Sequence, residues 1–171
     1  MYIRDIKNED MPTIQIIYAY HVEYGLASWE EVPPDIDELI QRRDNILADG
    51  FPYLVAEIDG QVLGFAYASK YRPRSAYLHC CENSIYVKNS AQRKGIGSAL
   101  LNALIERCTE MNFRRMVAII GDAANHSSIR LHKKAGFKHV GTIPGCGFKR
   151  NKWLDQVIMQ RSLGPGDSSS P

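Results

Sequence analysis

The chain has 171 residues, of which 44% are hydrophobic and 23% charged, and its formal net charge at pH 7 is +2. This length fits one domain with a sizeable core, and the nearly balanced charge argues against nucleic acid as a partner. No run of about 18 apolar residues is present, and the N-terminus lacks the apolar stretch of a signal peptide. We therefore expect no membrane span and a cytoplasmic protein.

The four cysteines and five histidines show no metal-binding or redox spacing. Cys80 and Cys81 are adjacent, Cys108 falls in a helical pattern, and no C-x-x-C pair is present. We therefore predict no metal site and interpret the cysteines as small apolar side chains. The segment Gly145–Gly147, which contains Cys146, is predicted to be a turn and not the site of a nucleophile.

The first half of the chain is predicted to form a strand, two helices and a hairpin. In chain order these are a strand over Met1–Ile6, helices over 10–25 and 35–50, and strands over Tyr53–Ile58 and Gln61–Tyr71. Asp10 is the expected N-cap of the first helix, and Ile14, Ile17 and Tyr18 recur at helical spacing within it. Asp59-Gly60 between two apolar runs predicts a hairpin, because both residues can adopt positive φ.

The second half is predicted to alternate strands and helices. The elements are a strand over Tyr77–Val87, a polar loop over 88–94, a helix from Gly95, a strand over Met116–Ile120, a helix from Asn125 to Gly136, and strands over Phe137–Thr142 and Trp153–Ser162. Three successive strands without crossover helices predict a mixed α/β sheet and exclude a standard doubly wound fold. We expect one domain over residues 1–163 and a disordered tail over 164–171, which is rich in Gly, Ser and Pro.

The strongest functional pattern lies at the start of the second-half helix, in the segment Gln92–Leu101. The first amides of a helix have no intrahelical partner, and with the helix dipole they form an anion site suited to a pyrophosphate. Gly95 and Gly97 allow close approach of the backbone, and Arg93 and Lys94 add positive charge. An isolated G-x-G is equally typical of a plain helix start with solvated basic residues, and the Walker signature is absent.

Two motifs extend this pattern to a family. Residues 92–97 resemble the [QR]-x-x-G-x-[GA] signature of the GNAT (Gcn5-related) N-acetyltransferases, and Asn125–Phe137 is similar to a second motif of that superfamily. The stretches that are closer to the phosphinothricin/methionine sulfone acetyltransferase branch are Glu82–Val87, Ser127–Phe137, and Gly147–Lys149 with Trp153 and Asp155. The resemblance implies the GNAT fold, a central twisted mixed sheet with splayed middle strands flanked by helices.

The resemblance also implies acetyl-CoA as co-substrate, held by three segments. Ile85, Tyr86 and Val87 would pair with the pantetheine arm, Arg93, Lys94, Gly95, Ile96, Gly97 and Ser98 would bind the pyrophosphate, and Asn125 and Ser127 would contact the CoA arm. A plain strand explains Ile85–Val87 equally well, because backbone pairing leaves no side-chain pattern.

Acylation of an amine needs a base for the substrate ammonium and benefits from an acid for the leaving thiolate. Glu82 matches the glutamate proposed as base in the similar branch, and a solvated strand-edge glutamate is the structural alternative. His132 occupies the position at which many GNAT enzymes carry a tyrosine acid. An imidazole can give or take a proton near neutral pH, so its role as acid, base or packing residue stays open.

The acceptor is expected to be a small amino-acid-like amine. The predicted substrate-binding residues are Trp29, Arg72, Arg74, Ser75, Ala76 and Tyr77, with Tyr71, Phe148 and Lys149 as further aromatic and cationic candidates. An arginine can hold a carboxylate or phosphinate by two hydrogen bonds, although a solvated basic loop explains either arginine alone equally well. Similar enzymes are commonly homodimers, so a homodimer is expected.

Two rival functions remain at this point. A protein N-terminal or aminoglycoside acetyltransferase would favour an open acidic groove, and no acidic run lies near Tyr71–Tyr77. A non-catalytic acyl-CoA-binding module on the same fold is the second rival, and the presence of Glu82 and His132 argues against it.

Overall fold

The computed structural model describes residues 1–171 and has a seven-stranded sheet at its centre. The elements are β1 (Tyr2–Asp5), α1 (Met11–Tyr24), α2 (Ile36–Ala48), β2 (Tyr53–Ile58), β3 (Gln61–Lys70), β4 (Cys80–Val87), α3 (Ile96–Glu110), β5 (Arg115–Gly121), α4 (His126–Lys134), β6 (Lys138–Lys149) and β7 (Lys152–Ser162). Short 3-10 turns cover Asn8–Asp10, Ser75–Tyr77 and Asn89–Ala91. None of the helices combines the length and the apolar character that crossing a membrane requires.

The sheet is mixed, with the strand order β1-β2-β3-β4-β5-β7-β6. All neighbouring strands are antiparallel except β4 and β5, which are parallel and paired only from Cys80–Asn83 to Arg115–Ala118. Beyond Asn83 and Ala118 the two strands continue without pairing. We call this point of separation the fork, and the space between Ser84–Val87 and Ile119–Gly121 the gap. The predicted mixed sheet with splayed middle strands is confirmed.

Helices cover both faces of the sheet, because alternate residues of a strand point to opposite sides. Tyr53 and Val55 of β2 pack with α1 and α2 in one buried cluster. Leu54 and Ala56 of the same strand pack with α3 in the other. We call these sides the α1–α2 face and the α3–α4 face.

Three local predictions differ from the structure. β4 begins at Cys80 and not at Tyr77, because a 3-10 turn precedes it. The Asp10 carboxylate does not cap α1. It accepts hydrogen bonds from the Arg4 guanidinium at 2.7 and 2.8 Å and from the Lys7 amide at 2.7 Å. A buried ion pair with three charge-assisted or backbone donors is a stronger partner for this carboxylate than one helix amide.

The segment Gly145–Gly147 is part of β6 and not a separate turn. Its pairing with β7 shifts register between Ile143 and Gly147, so the glycines form an irregularity within a long strand. The Cys146 side chain is exposed there.

The last residues follow β7 along the protein surface. Leu163 is 1% exposed, and the Asp167 carboxylate lies 3.0 Å from the Arg115 guanidinium. Disorder of residues 164–171 and a domain limit at residue 163 stay predictions.

Candidate active site

A cavity of about 670 Å³ occupies the gap between β4 and β5. Its walls come from both splayed strands, the N-terminal turns of α3 and α4, and the end of α1. The lining residues that the sequence predicts to bind acetyl-CoA are Ile85, Tyr86, Val87, Arg93, Gly95, Ile96, Gly97, Ser98, Asn125 and Ser127. Lys94 is exposed and does not line the cavity. The structure thus brings together three segments that are distant in the sequence.

The β4 backbone offers free hydrogen-bonding groups to the gap. The Lys88 amide donates to the Leu63 carbonyl of β3 at 2.8 Å, so alternate residues such as Tyr86 direct their backbone groups to β3. The amide and carbonyl of Ile85 therefore face the gap. The Val87 carbonyl faces it too, and accepts a hydrogen bond from His21 Nε2 at 2.8 Å. Of the three predicted pairing residues, Ile85 has the most suitable backbone.

The N-terminus of α3 has the free amides that the predicted anion site requires. The first intrahelical hydrogen bond runs from the Ala99 amide to the Gly95 carbonyl at 3.0 Å, so the amides of Ile96, Gly97 and Ser98 have no helical acceptor. No side chain caps this end, and Gly95 has a φ of 81°, which favours glycine. The pyrophosphate of acetyl-CoA would fit these residues, because its oxygens would accept hydrogen bonds from the three amides and would be stabilised by the helix dipole.

The N-terminus of α4 closes the opposite wall of the cavity. Asn125 Oδ1 accepts hydrogen bonds from the Ser128 amide at 3.2 Å and the Ser127 hydroxyl at 2.9 Å. The side-chain oxygen of Asn125 therefore caps the N-terminus of α4. Its side-chain amide group remains as a donor beside the cavity.

His132 lies on α4 at the fork and is only 4% exposed. Its Nε2 is 3.0 Å from Asn83 Oδ1, and its Nδ1 is 2.9 Å from the Ser128 carbonyl. Burial lowers the pKa of His132, and the hydrogen bond with Ser128 opposes this by raising it. The ring lines the cavity and packs edge-on against Phe137, with ring centroids 5.0 Å apart.

Glu82 lies on the other face of the sheet. It alternates with Asn83 along β4, and it shares the α1–α2 face with Tyr86, whose ring packs at 4.9 Å from that of Tyr18 on α1. The Glu82 side chain is half-buried, and burial raises the pKa of its carboxyl while the Arg72 charge lowers it. A carboxylate with a raised pKa is suited to accept a proton near neutral pH.

The predicted substrate-binding residues lie mainly in the loop between β3 and β4. Arg72, Arg74, Ser75, Ala76 and Tyr77 are all exposed there. The Arg72 guanidinium lies 4.8 Å from the centre of the Tyr71 ring, and the Tyr71 and Tyr77 rings are 5.7 Å apart. Arg72 in this loop carries the positive charge that lowers the pKa of Glu82.

The other predicted contributors come from the loop after α1 and from β6. Trp29 packs directly on Gly147, and a Cβ at that glycine would collide with the Trp29 ring. Lys149 is 3% exposed and donates to the Ser28 carbonyl at 2.9 Å, and burial lowers its pKa. Phe148, which alternates with Lys149, points the other way and is 53% exposed. Trp29 and Lys149 therefore hold the loop after α1 against β6.

Sequence reasoning did not single out two site residues. Asn83 lies between Glu82 and Ser84 in a short polar run of β4, and its position beside Glu82 was the available signal. His21 continues the apolar stripe of α1 at helical spacing, which made it resemble a core residue. Only the meeting of α1 with Val87 places His21 at the gap.

The splayed parallel strands beside the α3 N-terminus are the arrangement that the sequence motifs predict for an acyltransferase using acetyl-coenzyme A. Residues 14–137 match the acetyltransferase (GNAT) family, and the chain belongs to that family. It is an acetyl-CoA-dependent N-acetyltransferase, as the sequence motifs predict.

Within this family, the chain is similar to phosphinothricin and to methionine sulfoximine/methionine sulfone acetyltransferases. The chain is 46% identical to a phosphinothricin N-acetyltransferase of Alcaligenes faecalis, over 99% of this chain and 86% of the relative. It is 38% identical to an L-methionine sulfoximine/L-methionine sulfone acetyltransferase of Pseudomonas aeruginosa, over 98% of this chain and 97% of the relative. A crystal structure of a phosphinothricin acetyltransferase from Sinorhizobium meliloti in complex with acetyl-CoA superposes with a TM-score of 0.97, at 44% identity, covering 99% of this chain and 92% of that one.

Proposed function

We propose that this enzyme acetylates the primary amine of a small amino-acid-like substrate of the phosphinothricin, methionine sulfone or methionine sulfoximine type. The observation that carries the proposal is the placement of Glu82. This carboxylate lies on the α1–α2 face, while the cavity for the coenzyme opens on the gap beside α3 and α4. The two sides meet where the sheet is open, so donor and acceptor can approach from opposite faces.

The α1–α2 face has the charges that an amino acid needs. Burial raises the pKa of Tyr67, and the charges of Glu82 and Glu30 raise it further while that of Arg42 lowers it. Glu30 is paired with Arg42 at 2.6 Å, so Glu82 is the carboxylate that offers negative charge to a substrate ammonium. Arg72 and Arg74 lie at the rim and offer positive charge to a carboxylate or phosphinate. The names of the relatives specify amino-acid acceptors of this kind.

In the proposed reaction the chain supplies proton transfer and positioning. When bound, acetyl-CoA supplies the acetyl group as a thioester. Glu82 accepts a proton from the substrate ammonium, directly or through a water molecule, which frees the amine lone pair for attack. The Ile85 amide, which faces the gap, donates a hydrogen bond to the oxygen on which negative charge develops. Because donor and acceptor are held together, no covalent enzyme intermediate is needed.

A CoA-release screen tests the proposal. The purified protein is mixed with acetyl-CoA and with phosphinothricin, methionine sulfone, methionine sulfoximine, common amino acids, simple amines and an N-terminal peptide. We expect turnover with the first three and weaker or no turnover with simple amines and the peptide. Turnover restricted to the peptide would contradict the proposal, and acetyl-CoA binding without any turnover would favour a binding module.

Arg72→Ala and Arg74→Ala are expected to raise KM for a carboxylate-bearing acceptor by about tenfold each, which corresponds to roughly 1.4 kcal/mol of lost binding. The reason is the loss of a charged donor to the substrate carboxylate. Steady-state KM values for methionine sulfone and for a simple amine without a carboxylate measure the effect. Equal changes for the two acceptors would contradict a carboxylate-binding role.

We propose a homodimer, formed through the exposed apolar residues at the β6–β7 edge of the sheet. Trp153 is 72% exposed, Val140 55% and Phe148 53%, and β6 is an edge strand with one free side. We expect Trp153→Asp to shift the mass in light scattering from dimer to monomer. The control is Leu47→Asp, which changes a 44% exposed apolar residue on α2 and should leave the mass unchanged. A monomeric unmodified protein would rule the dimer out.

We also propose a cytoplasmic location, because the donor acetyl-CoA is a soluble metabolite of that compartment. Activity and protein are expected in the soluble cytoplasmic fraction of the source cells. Recovery in another fraction would contradict this.

A further inference from the structure

Asn83 lies at the fork and joins three elements. It is the last residue of β4 paired with β5, and its side chain is 6% exposed. The side-chain amide Nδ2 donates to the Val117 carbonyl of β5 at 3.0 Å, and Oδ1 lies 3.0 Å from His132 Nε2 on α4. One buried amide therefore links both splayed strands to the helix that carries His132.

The orientation of this amide follows from hydrogen-bond chemistry. A backbone carbonyl is only an acceptor, so the group facing Val117 must be the NH₂ of Asn83. A flipped amide would place two acceptors 3.0 Å apart in a buried site, which is unfavourable by the cost of an unpaired polar group. Oδ1 must then face His132, and it too is only an acceptor. A hydrogen bond at this position requires a proton on Nε2 of His132.

The other nitrogen of His132, Nδ1, lies 2.9 Å from the Ser128 carbonyl and 3.4 Å from the Ser128 hydroxyl. With the proton of the neutral ring on Nε2, Asn83 Oδ1 accepts it, and the Ser128 hydroxyl can donate to the Nδ1 lone pair, which offsets the carbonyl beside it. With the proton on Nδ1, the Nε2 lone pair would face Asn83 Oδ1 at 3.0 Å with no donor beside it. The neutral ring therefore has a partner for both nitrogens only when its proton is on Nε2. Burial lowers the pKa of His132 and the Ser128 carbonyl raises it, and neither of these causes is a charged side chain.

We propose that Asn83 is a positioning residue that fixes a proton on Nε2 of His132, so that His132 presents an N–H donor and not a lone pair at the fork. This inference rests on the proposed acetyl transfer for its catalytic consequence, because the fork is where the leaving thiolate must form. His132 cannot take the proton of the amine at Nε2, which leaves that role to Glu82.

The chemical consequence is a hydrogen bond and not a proton transfer. The neutral ring keeps its Nε2–H bond, which points at Asn83 Oδ1 and can be shared with the sulfur of the leaving thiolate as negative charge develops there. Burial lowers the pKa of His132, so the ring stays neutral, and the thiolate leaves as the anion and takes its proton from solvent.

Histidine ¹⁵N NMR of the full chain without acetyl-CoA or acceptor tests the tautomer directly. We expect the neutral His132 of the unmodified protein to carry its proton on Nε2. In Asn83→Leu the remaining acceptor is the Ser128 carbonyl, so we expect the proton to move to Nδ1 and kcat to fall by at least tenfold. Asn83→Asp loses the donor to Val117 as Asn83→Leu does but keeps an acceptor at Nε2, so a proton that moves only in Asn83→Leu reports the loss of the acceptor and not of the Val117 hydrogen bond.

The controls use the same spectra. Asn102→Leu changes an exposed asparagine of α3 and should alter neither the His132 signal nor kcat, and the exposed His139 serves as internal reference. A proton on Nδ1 in the unmodified protein would overturn the proposal without any variant. So would a tautomer change in Asn83→Leu with unchanged kcat, or a fall in kcat with no tautomer change. Absence of turnover with every acceptor would defeat the proposed function alone, because the tautomer is read without substrate.

Discussion

Glu82→Gln is expected to lower kcat by on the order of 10²- to 10⁴-fold while leaving the Kd for acetyl-CoA within about twofold of the unmodified enzyme. Glutamine has nearly the same shape but cannot accept the ammonium proton. Glu82 does not line the cavity in the gap, where acetyl-CoA is proposed to bind, so donor binding should be preserved. Steady-state kinetics with methionine sulfone and calorimetric titration with acetyl-CoA measure the two quantities. Normal turnover in this variant would exclude Glu82 as the base.

The pH dependence supplies an independent check on the same residue. The base is active when ionised, and burial raises the pKa of Glu82, so activity should fall on acidification at a higher pH than for an ordinary glutamate. The Arg72 charge opposes this rise. Arg72→Ala should therefore move the acidic limb of kcat to higher pH, whereas Arg72→Lys, which keeps the charge, should move it less. Glu106→Gln, at an exposed position on α3, is the control and should change neither kcat nor the limb.

Gly95→Ala is the second variant with a large expected effect, on the affinity for acetyl-CoA. The added methyl group would meet no protein atom within 4 Å, so the group most directly affected is an anion at the α3 N-terminus. We expect KM for acetyl-CoA to rise by about tenfold or more, equivalent to roughly 1.4 kcal/mol. Initial rates at varied acetyl-CoA and calorimetric titration measure it.

Gly50 provides a matched control for the strain that this substitution adds. Gly50 and Gly95 both have a φ of +81°, and at both positions a Cβ would meet no atom within 4 Å. A left-handed conformation costs a residue with a side chain about 1–2 kcal/mol, so both Ala variants should lose similar thermal stability. Only Gly95→Ala should lose affinity. Equal KM values for the two variants would show that the α3 N-terminus does not bind the coenzyme.

Much of the fold could be predicted from the sequence because its signals are local. Asp59-Gly60 indicates the hairpin between β2 and β3, and the structure has positive φ at both residues. Likewise Gly95 indicates where α3 begins. The free amides at this helix start belong to consecutive residues, so the local sequence is enough to locate them. Alternation along a strand also implies that Glu82 and Asn83 point to opposite faces.

The rest of the site depends on contacts between distant segments. The gap exists because β4 and β5 lose their pairing after Asn83 and Ala118, which no periodicity within either strand indicates. The strand β6 continues through Gly145–Gly147 because β7 pairs with it on both sides of the irregularity, where the local composition favours a turn.

The side chains that complete the site owe their roles to the same long-range packing. His132 contacts Asn83 and His21 contacts Val87 only because α4 and α1 end beside the splayed strands. Short-range patterns therefore specify the helices, the strands and the glycine-containing start of α3. Which polar groups face each other across the sheet follows from how those elements pack, because hydrogen bonds between segments require the positions of both partners.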